Sequence, residues 1–408
     1  MTIEYITLDN GMRVVCHHSP SIVSYAGFAV NVGSRDDDPS SPGIAHFVEH
    51  LLFKGTARHS PHYIINRMEQ VGADLNAYTT KEETVIYSSF LNNHLGRAID
   101  LMTDIVLHSS FAPAEVDRER SVILDETHSY LDDPSDQIFD NFEAQLFGNG
   151  AVGHPILGSI ESVEAITAAD CYAFHRRHYR PDRMVFFYEG SLSSSEVRRR
   201  LERALSSTEP CEAPTPHART SPEATSPQQM VEEIDSHQVH TIIGAPSYGM
   251  SDTRLRAHVL LNNYIGGPCM NSLLNVALRE RRGLCYTVES TIATYTDAGY
   301  YAIYFGTDPR NLDRCLSLVY KTLRGICEKS LPERTIASIK RQFIGQMTIA
   351  MEQREHLALS IAKSVLHKGY FMPLDESLAR IEAVTAQQLL EVANEVYGAE
   401  GLSRLTFR

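Results

Sequence analysis

Two histidines and a glutamate lie close together at residues 46–50, where the chain reads His-Phe-Val-Glu-His. At about 100° per residue, the apolar side chains of the surrounding segment fall on one helical face, and His46, Glu49 and His50 fall on the other. Two histidines four positions apart can ligate one metal ion, and the glutamate between them stands where a general base is needed. Because such a string also arises by chance on a solvent-exposed polar face, the motif alone leaves both interpretations open.

A catalytic metal needs a third protein ligand and one open position. The residues flanking the His/Glu segment, Pro42 and Lys54-Gly55, are typical of a helix start and a helix end. A second helix, predicted from Pro113 to Tyr130, carries Glu119 and Glu126. These glutamates are two helical turns apart, so both carboxylates point from one face. Helical glutamate pairs are common, and the chain also has 18 histidines. The spacing alone therefore does not show which residue is the third metal ligand.

Composition excludes several classes of protein. The chain has 408 residues, 43% of them hydrophobic and 22% charged, which is typical of a soluble globular protein of two or three domains. A net charge of −14 disfavours nucleic acid as a partner, and no segment approaches the ~20 apolar residues of a membrane span. The seven cysteines include no C-x-x-C pair, which favours a reduced compartment. The first residues lack signal-peptide and transit-peptide features, so we expect a cytoplasmic chain.

Strand and helix patterns mix along the chain and predict an α+β fold with largely antiparallel sheets packed against long helices. A hairpin is predicted around Asn10-Gly11. Five prolines among Ser, Thr and Glu mark a linker. We therefore expect a metal-binding domain at 1–207, a Pro-rich linker at 208–228 and a second domain at 229–408.

The second half weakly repeats the first. In the first half, a predicted strand at Thr84–Phe90 is followed by a predicted helix at Asn92–Ser109. The second half has the same order, with a strand at Tyr300–Phe305 and a helix at Asp308–Cys327. The helix from Met270 onward is the expected counterpart of the His/Glu helix, and it carries no metal-ligand set. This predicts a duplication with one degenerate copy; chance similarity of two α+β halves is the alternative.

Several of these segments together resemble the pitrilysin-type inverzincin zinc metallopeptidases of family M16. Glu126 lies 76 positions after His50, as the third ligand does in that family, and Glu119 lies seven before it. The segments that carry the rest of the resemblance are 46–56, with the inverted HxxEH zinc motif, 75–79 (LNAYT) and 278–286 (LRERRGLCY). The glycine-rich run that usually precedes the last of these reads Gly-Gly-Pro-Cys-Met at 266–270, a departure from the family. In length the chain is similar to the half-length members, such as the processing-peptidase beta subunit.

The resemblance implies a role for each of these residues. One Zn²⁺ per chain would be held by His46, His50 and Glu126, with Glu49 as the catalytic base. Glu119 would complete the catalytic set by orienting a ligand or its helix face.

The resemblance also implies how substrate is bound. Asn76, Ala77 and Tyr78, continuing to Thr79, would accept a peptide as an added β-strand, while Arg279 and Tyr286 would contact its carbonyl oxygen. The expected activity is that of a zinc endopeptidase that hydrolyses peptides or unstructured segments inside a chamber. The chamber would be a homodimer in which Arg279 and Tyr286 act across the interface. The alternative is a non-catalytic peptide-binding or partner subunit of a processing-peptidase-like complex.

Overall fold

The computed structural model describes residues 2–148, 150–206 and 219–408. It divides into two compact units, each assembled from three segments. Unit 1 comprises Met1–His128, Pro155–Arg219 and Ala350–Met372, and unit 2 comprises Ser129–His154, Thr220–Ile349 and Pro373–Arg408. Most of the expected linker, 208–218, lies outside the described residues, and the linker boundary stays a prediction.

The strands, in chain order, are β1 Thr2–Thr7, β2 Arg13–His18, β3 Val23–Val30, β4 Asn76–Thr79, β5 Thr84–Leu91, β6 Met184–Gly190, β7 Gln229–Glu232, β8 Val239–Ser247, β9 Cys285–Thr294, β10 Gly299–Thr307 and β11 Ser403–Phe407. The helices are α1 Ile44–Leu51, α2 Pro61–Glu69, α3 Leu95–Leu107, α4 Pro113–Leu131, α5 Pro134–Phe147, α6 Ile160–Ala165, α7 Ala168–His178, α8 Ser194–Ala204, α9 Leu255–Gly266, α10 Leu312–Glu328, α11 Glu333–Ala350, α12 Arg354–Lys368, α13 Leu374–Glu382 and α14 Ala386–Val396. No helix in the described part of the chain has the length and apolarity that crossing a membrane requires.

The sheet of unit 1 has the order β1-β2-β6-β3-β5-β4. Every neighbouring pair is antiparallel except β2 and β6. The hairpin predicted at Asn10-Gly11 joins β1 to β2, and Gly11 has the positive φ that such a turn requires. The strand β4 is the last of the sheet, so one of its edges has no strand partner within the described residues.

Both faces of this sheet are buried, which explains why β6 is buried along its whole length. One face packs against a core that includes α1 and α3. The other face, with Val15, Val185 and Phe187, packs against Leu357 and Ile361 of α12. Alternate side chains of each strand therefore enter different cores.

Unit 2 repeats this architecture in a sheet of order β7-β11-β8-β10-β9. Its only parallel pair in the described residues is β7 and β11, which matches β2 and β6 of unit 1. One face of this sheet packs against helices that include α9, α10 and α14, and the other packs against α5. The expected α+β fold, with two like domains and largely antiparallel sheets, is confirmed.

The outer helix of each unit comes from the opposite half of the chain. In the chain, α5 follows α4, yet it packs on the sheet of unit 2; α12 follows α11, yet it packs on the sheet of unit 1. The apolar faces of α5 and α12 have the same helical period as those of the other helices. The sequence pattern therefore does not specify which sheet each helix covers.

The counterpart of the His/Glu helix was wrongly assigned to the segment from Met270 onward. In unit 2 the helix that follows β8, as α1 follows β3, is α9. Residues 271–274 instead lead into a short π-helix at Asn275–Glu280. Among the polar residues of α9, His258 and Asn262 are buried, and Arg256 and Asn263 are half-buried. No polar side chain of α9 is fully exposed, so its sequence does not show the pattern of a solvated polar face.

An ion-pair network attaches α12 to the sheet of unit 1. The carboxylate of Glu83, in the β4–β5 turn, lies 2.6 Å from Lys363 Nζ and 2.9 Å from His367 Nε2. Burial raises the pKa of Glu83, but the hydrogen bond from His367 and the charge of Lys363 outweigh it, so the pKa is lowered to about 2. Because the folded pKa lies below the unfolded value, the stabilisation is present above about pH 4.5 and is lost as pH falls toward about 2.

Replacing this carboxylate should therefore have a pH-dependent effect on stability. We expect Glu83→Gln to lower the free energy of unfolding by about 3 kcal/mol at pH 7. The difference from the parent should shrink as pH is lowered from 5 to 2, measured by urea unfolding at each pH. Glu376→Gln, which breaks an exposed helical pair with Arg380, is the control and should change stability by less than about 1 kcal/mol. If the Glu83→Gln effect kept a constant size across this pH range, the ionised carboxylate of Glu83 would not be the source of the stabilisation.

Candidate metal centre

The helix α1 is held in place by its apolar face and by its N-terminus. The five apolar side chains of the predicted face are all buried, namely Ile44, Phe47, Val48, Leu51 and Leu52. Asp37 accepts hydrogen bonds from the backbone N–H groups of Gly43 and Ala45, at 2.7 and 3.0 Å. Gly43 has φ of 93°, and a Cβ there would lie 2.6 Å from the carbonyl oxygen of Leu157. Only glycine fits this start of the helix.

The polar side of α1 is also largely buried. His46 and Glu49 are each only 8% exposed. The interpretation of this side as an ordinary solvated face is therefore wrong, since a buried polar side chain requires a partner.

The structure brings His46, His50 and Glu126 together. One ligand atom from each lies within 4.8 Å of the other two. Glu126 Oε2 lies 3.4 Å from His50 Nε2, and Glu126 Oε1 lies 3.9 Å from His46 Nε2. Ligands of a tetrahedral zinc with bonds of ~2.0–2.1 Å are about 3.3–3.5 Å apart. The Glu126–His50 separation lies in this range, and the Glu126–His46 separation is longer. Two imidazole nitrogens and one carboxylate are a donor set suited to zinc.

Glu119 lies on the far side of His50. Its Oε1 is 2.9 Å from His50 Nδ1, and its Oε2 is 2.7 Å from Lys54 Nζ. With a proton on Nδ1 that is donated to Glu119, Nε2 is left as the ligand atom. The resemblance implies that Glu119 orients a ligand or its helix face, and this contact is with one of the expected ligands; the role itself stays a prediction. Lys54, which the sequence indicates only as a helix end, is thus also a partner of Glu119.

The ionisation of these groups follows from burial and from their neighbours. Burial, with His50 nearby, lowers the pKa of His46 to about 3, which keeps this imidazole neutral and able to ligate. Burial lowers the pKa of His50, but the hydrogen bond to Glu119 and the nearby carboxylates reverse the shift, so the net change is upward. Burial raises the pKa of Glu119, but hydrogen bonds from His50 and Lys54 outweigh it and leave the pKa lowered.

Glu49 stands beside this cluster without being part of the donor set. Burial raises the pKa of Glu49, and a hydrogen bond from Thr79 acts in the opposite direction. Thr79 Oγ1 donates to Glu49 Oε2 at 2.7 Å. Sequence reasoning considered Thr79 only for backbone pairing and missed this side-chain contact.

The residues expected to bind a peptide lie in two places. Asn76, Ala77 and Tyr78 form the edge strand β4, which ends at Thr79 and packs against α1. Arg279 and Tyr286 belong to unit 2, where the guanidinium of Arg279 lies 5.3 Å from the centre of the Tyr286 ring. Tyr286 is 81% exposed, and Arg279 belongs to the π-helix, an element frequent at functional sites.

Comparisons with known proteins identify the family of this chain. The model of the insulinase family, peptidase family M16, matches residues 13–160, and that of the peptidase M16 inactive domain matches residues 165–343. A protein of Streptomyces coelicolor named as an uncharacterized zinc protease is 34% identical over 97% of this chain and 88% of its own length. The chain belongs to peptidase family M16.

Other known proteins match over nearly the whole chain. The beta subunit of the bovine mitochondrial-processing peptidase is 29% identical over 95% of this chain and 80% of its own length. The crystal structure of a protease from Helicobacter pylori superposes with a TM-score of 0.91 at 19% identity, covering 100% of this chain and 99% of that one. M16 is a family of zinc proteases. The segment matched by the insulinase model contains the three donor residues and the two neighbouring glutamates, namely His46, His50, Glu126, Glu49 and Glu119.

Zinc binding should separate the roles of the two α4 glutamates. We expect Glu126→Gln to lose most zinc affinity, and Glu119→Gln to retain zinc with an affinity about 10- to 100-fold lower, since Glu119 would act only through His50. The measurement is competition with a zinc chelator of known affinity. Glu115→Gln, on the same helix but paired with Arg118, is the matched control. Equal affinities for all three variants would contradict the donor set.

Proposed function

We propose that this chain is a zinc metalloendopeptidase that hydrolyses peptides or unstructured polypeptide segments. The observation that carries the proposal is the convergence of three donor atoms within 4.8 Å beside a buried carboxylate, Glu49, that is not one of them. A peptidase of this kind needs a metal with an open position and a separate general base, and this cluster offers both.

In this proposal His46, His50 and Glu126 hold the zinc. When bound, zinc supplies Lewis acidity, which activates a water molecule and polarises a peptide carbonyl. Glu49 takes the proton from the attacking water and returns it to the leaving amine. Glu119 keeps the His50 ring oriented through its hydrogen bond to Nδ1.

The edge strand β4 supplies a binding surface for the peptide backbone. Its outer edge has no partner strand in the described residues, and it leads at Thr79 to the carboxylate of Glu49. A peptide added along this edge gains backbone hydrogen bonds that do not depend on its sequence. The net charge of −14 favours basic peptides among such substrates.

We further propose that the active form is a homodimer in which Arg279 and Tyr286 of one protomer stabilise the developing oxyanion in the site of the other. A guanidinium next to a phenol can donate to a negatively charged oxygen, and such donors contribute most in a water-excluded site. The high exposure of Tyr286 leaves its ring available for this contact.

The role of Glu49 can be tested directly. We expect Glu49→Gln to lower kcat by at least about 100-fold while zinc stays bound at one ion per chain, because the amide has no basic oxygen. The assay is cleavage of a peptide library, with zinc content measured on the same samples and a chelator-treated parent for comparison. Near-parental turnover by the zinc-loaded variant would exclude Glu49 as the base. A parent chain that holds no zinc would favour the non-catalytic partner subunit instead.

Action across a dimer interface can be tested by mixing two inactive variants. Glu49→Gln lacks the base but keeps Arg279, and Arg279→Ala keeps the base. If Arg279 acts across the interface, each mixed dimer has one complete site, and random reassortment of equal amounts should restore about a quarter of parental activity. Arg281→Ala, a neighbouring arginine, is the matched control and should be active alone. No recovery, with subunit exchange verified by mass labelling, would contradict action across the interface.

A further inference from the structure

The position of the Glu49 carboxylate depends on one side chain of the edge strand. Within the described residues, the hydroxyl of Thr79 is the only hydrogen-bond donor that contacts this carboxylate, and it contacts Oε2 at 2.7 Å. The other oxygen, Oε1, has no hydrogen bond from the described protein groups. A buried carboxylate with one tethered and one untethered oxygen has a defined orientation and a free basic atom.

The hydroxyl proton of Thr79 is directed towards Glu49 by its surroundings. The other hydroxyl in reach is that of Thr84, 3.3 Å away, and Thr84 donates its own proton to the carbonyl oxygen of Val32 at 2.9 Å. Thr84 can therefore only accept from Thr79, at a longer distance than Glu49 does. An ionised carboxylate at 2.7 Å is the stronger acceptor of the two.

The end of the strand that carries Thr79 is itself firmly held. The carbonyl oxygens of Thr80 and Lys81 accept hydrogen bonds from the N–H groups of Ser34 and Arg35, at 3.0 and 2.9 Å. The Arg35 guanidinium donates to Glu82 at 2.7 Å, and both side chains are buried. The turn that follows β4 is thus fixed to the loop that precedes α1, which leaves Thr79 little freedom to move away from Glu49.

We propose that Thr79 is a positioning residue for the reaction: it holds Glu49 Oε2 so that Oε1 faces the water, and it couples the peptide-binding strand to the general base. This inference rests on the proposed peptidase function. Because Thr79 is already held against Glu49, the base is oriented before a peptide adds to β4, and the added peptide lies on the same strand that orients it. Because Thr79 contacts neither the zinc donors nor the open edge through its hydroxyl, its loss should affect turnover more than peptide affinity.

The test compares Thr79→Val, which has nearly the same shape but no donor, with Thr79→Ser, which keeps the donor. We expect Thr79→Val to lower kcat about 10- to 100-fold with KM within about twofold of the parent, and Thr79→Ser to stay within about threefold in both. Zinc content should be unchanged in both variants. Thr103→Val is the matched control and should be fully active, because the Thr103 hydroxyl is buried in the same unit and forms no hydrogen bond with the described residues.

Two measurements that do not depend on turnover complete the test. A labelled basic peptide should bind to zinc-loaded Glu49→Gln and to Glu49→Gln/Thr79→Val with affinities within about twofold. Crystal structures of the zinc-free proteins should show the Glu49 carboxylate turned away from the strand in Thr79→Val and unchanged in Thr79→Ser.

Three outcomes would overturn the assignment of Thr79. They are parental kcat in Thr79→Val, equal impairment of Thr79→Ser, and a raised KM with unchanged kcat, which would indicate peptide binding alone. A zinc-loaded parent that cleaves no peptide would overturn the proposed function, and the role of Thr79 in it, before any variant is compared.

Discussion

The constraint on which the site depends is that both sides of α1 are buried. A helix that packs only its apolar face can leave histidines and glutamates in water at little cost. Here α4 and β4 cover the polar side as well, so that side carries buried imidazole and carboxylate groups that need partners. Three carboxylates, those of Glu49, Glu119 and Glu126, lie around α1 with the ammonium group of Lys54 beside only one of them. A divalent cation between the histidines and Glu126 would offset this excess of negative charge, which is a physical reason for the cluster to bind metal.

The same burial requires that the covering elements be held accurately. Asp37 fixes the N-terminus of α1, and the next residue back, Asp36, accepts two hydrogen bonds from Arg219, at 3.0 and 2.6 Å. Arg219 also donates to the carbonyl oxygen of Glu82 in the turn after β4. Arg219, whose side chain is 8% exposed, thus connects the loop before α1 with the turn after β4. Breaking a buried charge network of this kind usually costs several kcal/mol, because one charge is left unpaired.

Local sequence patterns were sufficient for the elements that carry the donors. The apolar spacing of α1, Pro113 at the start of α4 and the two-turn separation of Glu119 and Glu126 all follow from helical geometry, and the structure has both helices where they were expected. The choice of Glu126 as the third ligand came from resemblance, since spacing on α4 does not reveal what lies opposite. Arg219 could not be foreseen, because it lies within a segment whose proline and serine content indicates only a linker. The contact between Thr79 and Glu49 joins residues 30 apart, and a threonine in a strand is equally consistent with pairing alone.

The two repeats bury polar groups on equivalent helices in different ways. In α9 the ring of His258 lies 2.7 Å from Ser247 Oγ and 3.0 Å from the hydroxyl of Tyr397, and that hydroxyl donates to Asn262 at 3.0 Å. Burial lowers the pKa of His258 to about 3, so this imidazole is neutral and both of its nitrogens are paired within the protein. In α1, by contrast, Nε2 of His46 and Nε2 of His50 converge on Glu126, and the described residues supply no neutral hydrogen-bonding partner for them. In unit 2 the buried imidazole is therefore paired with two hydroxyl groups, whereas in unit 1 the imidazole nitrogens converge on a carboxylate. The buried polar groups of α9 thus form a closed hydrogen-bond network, which leaves no electrostatic need for an ion there.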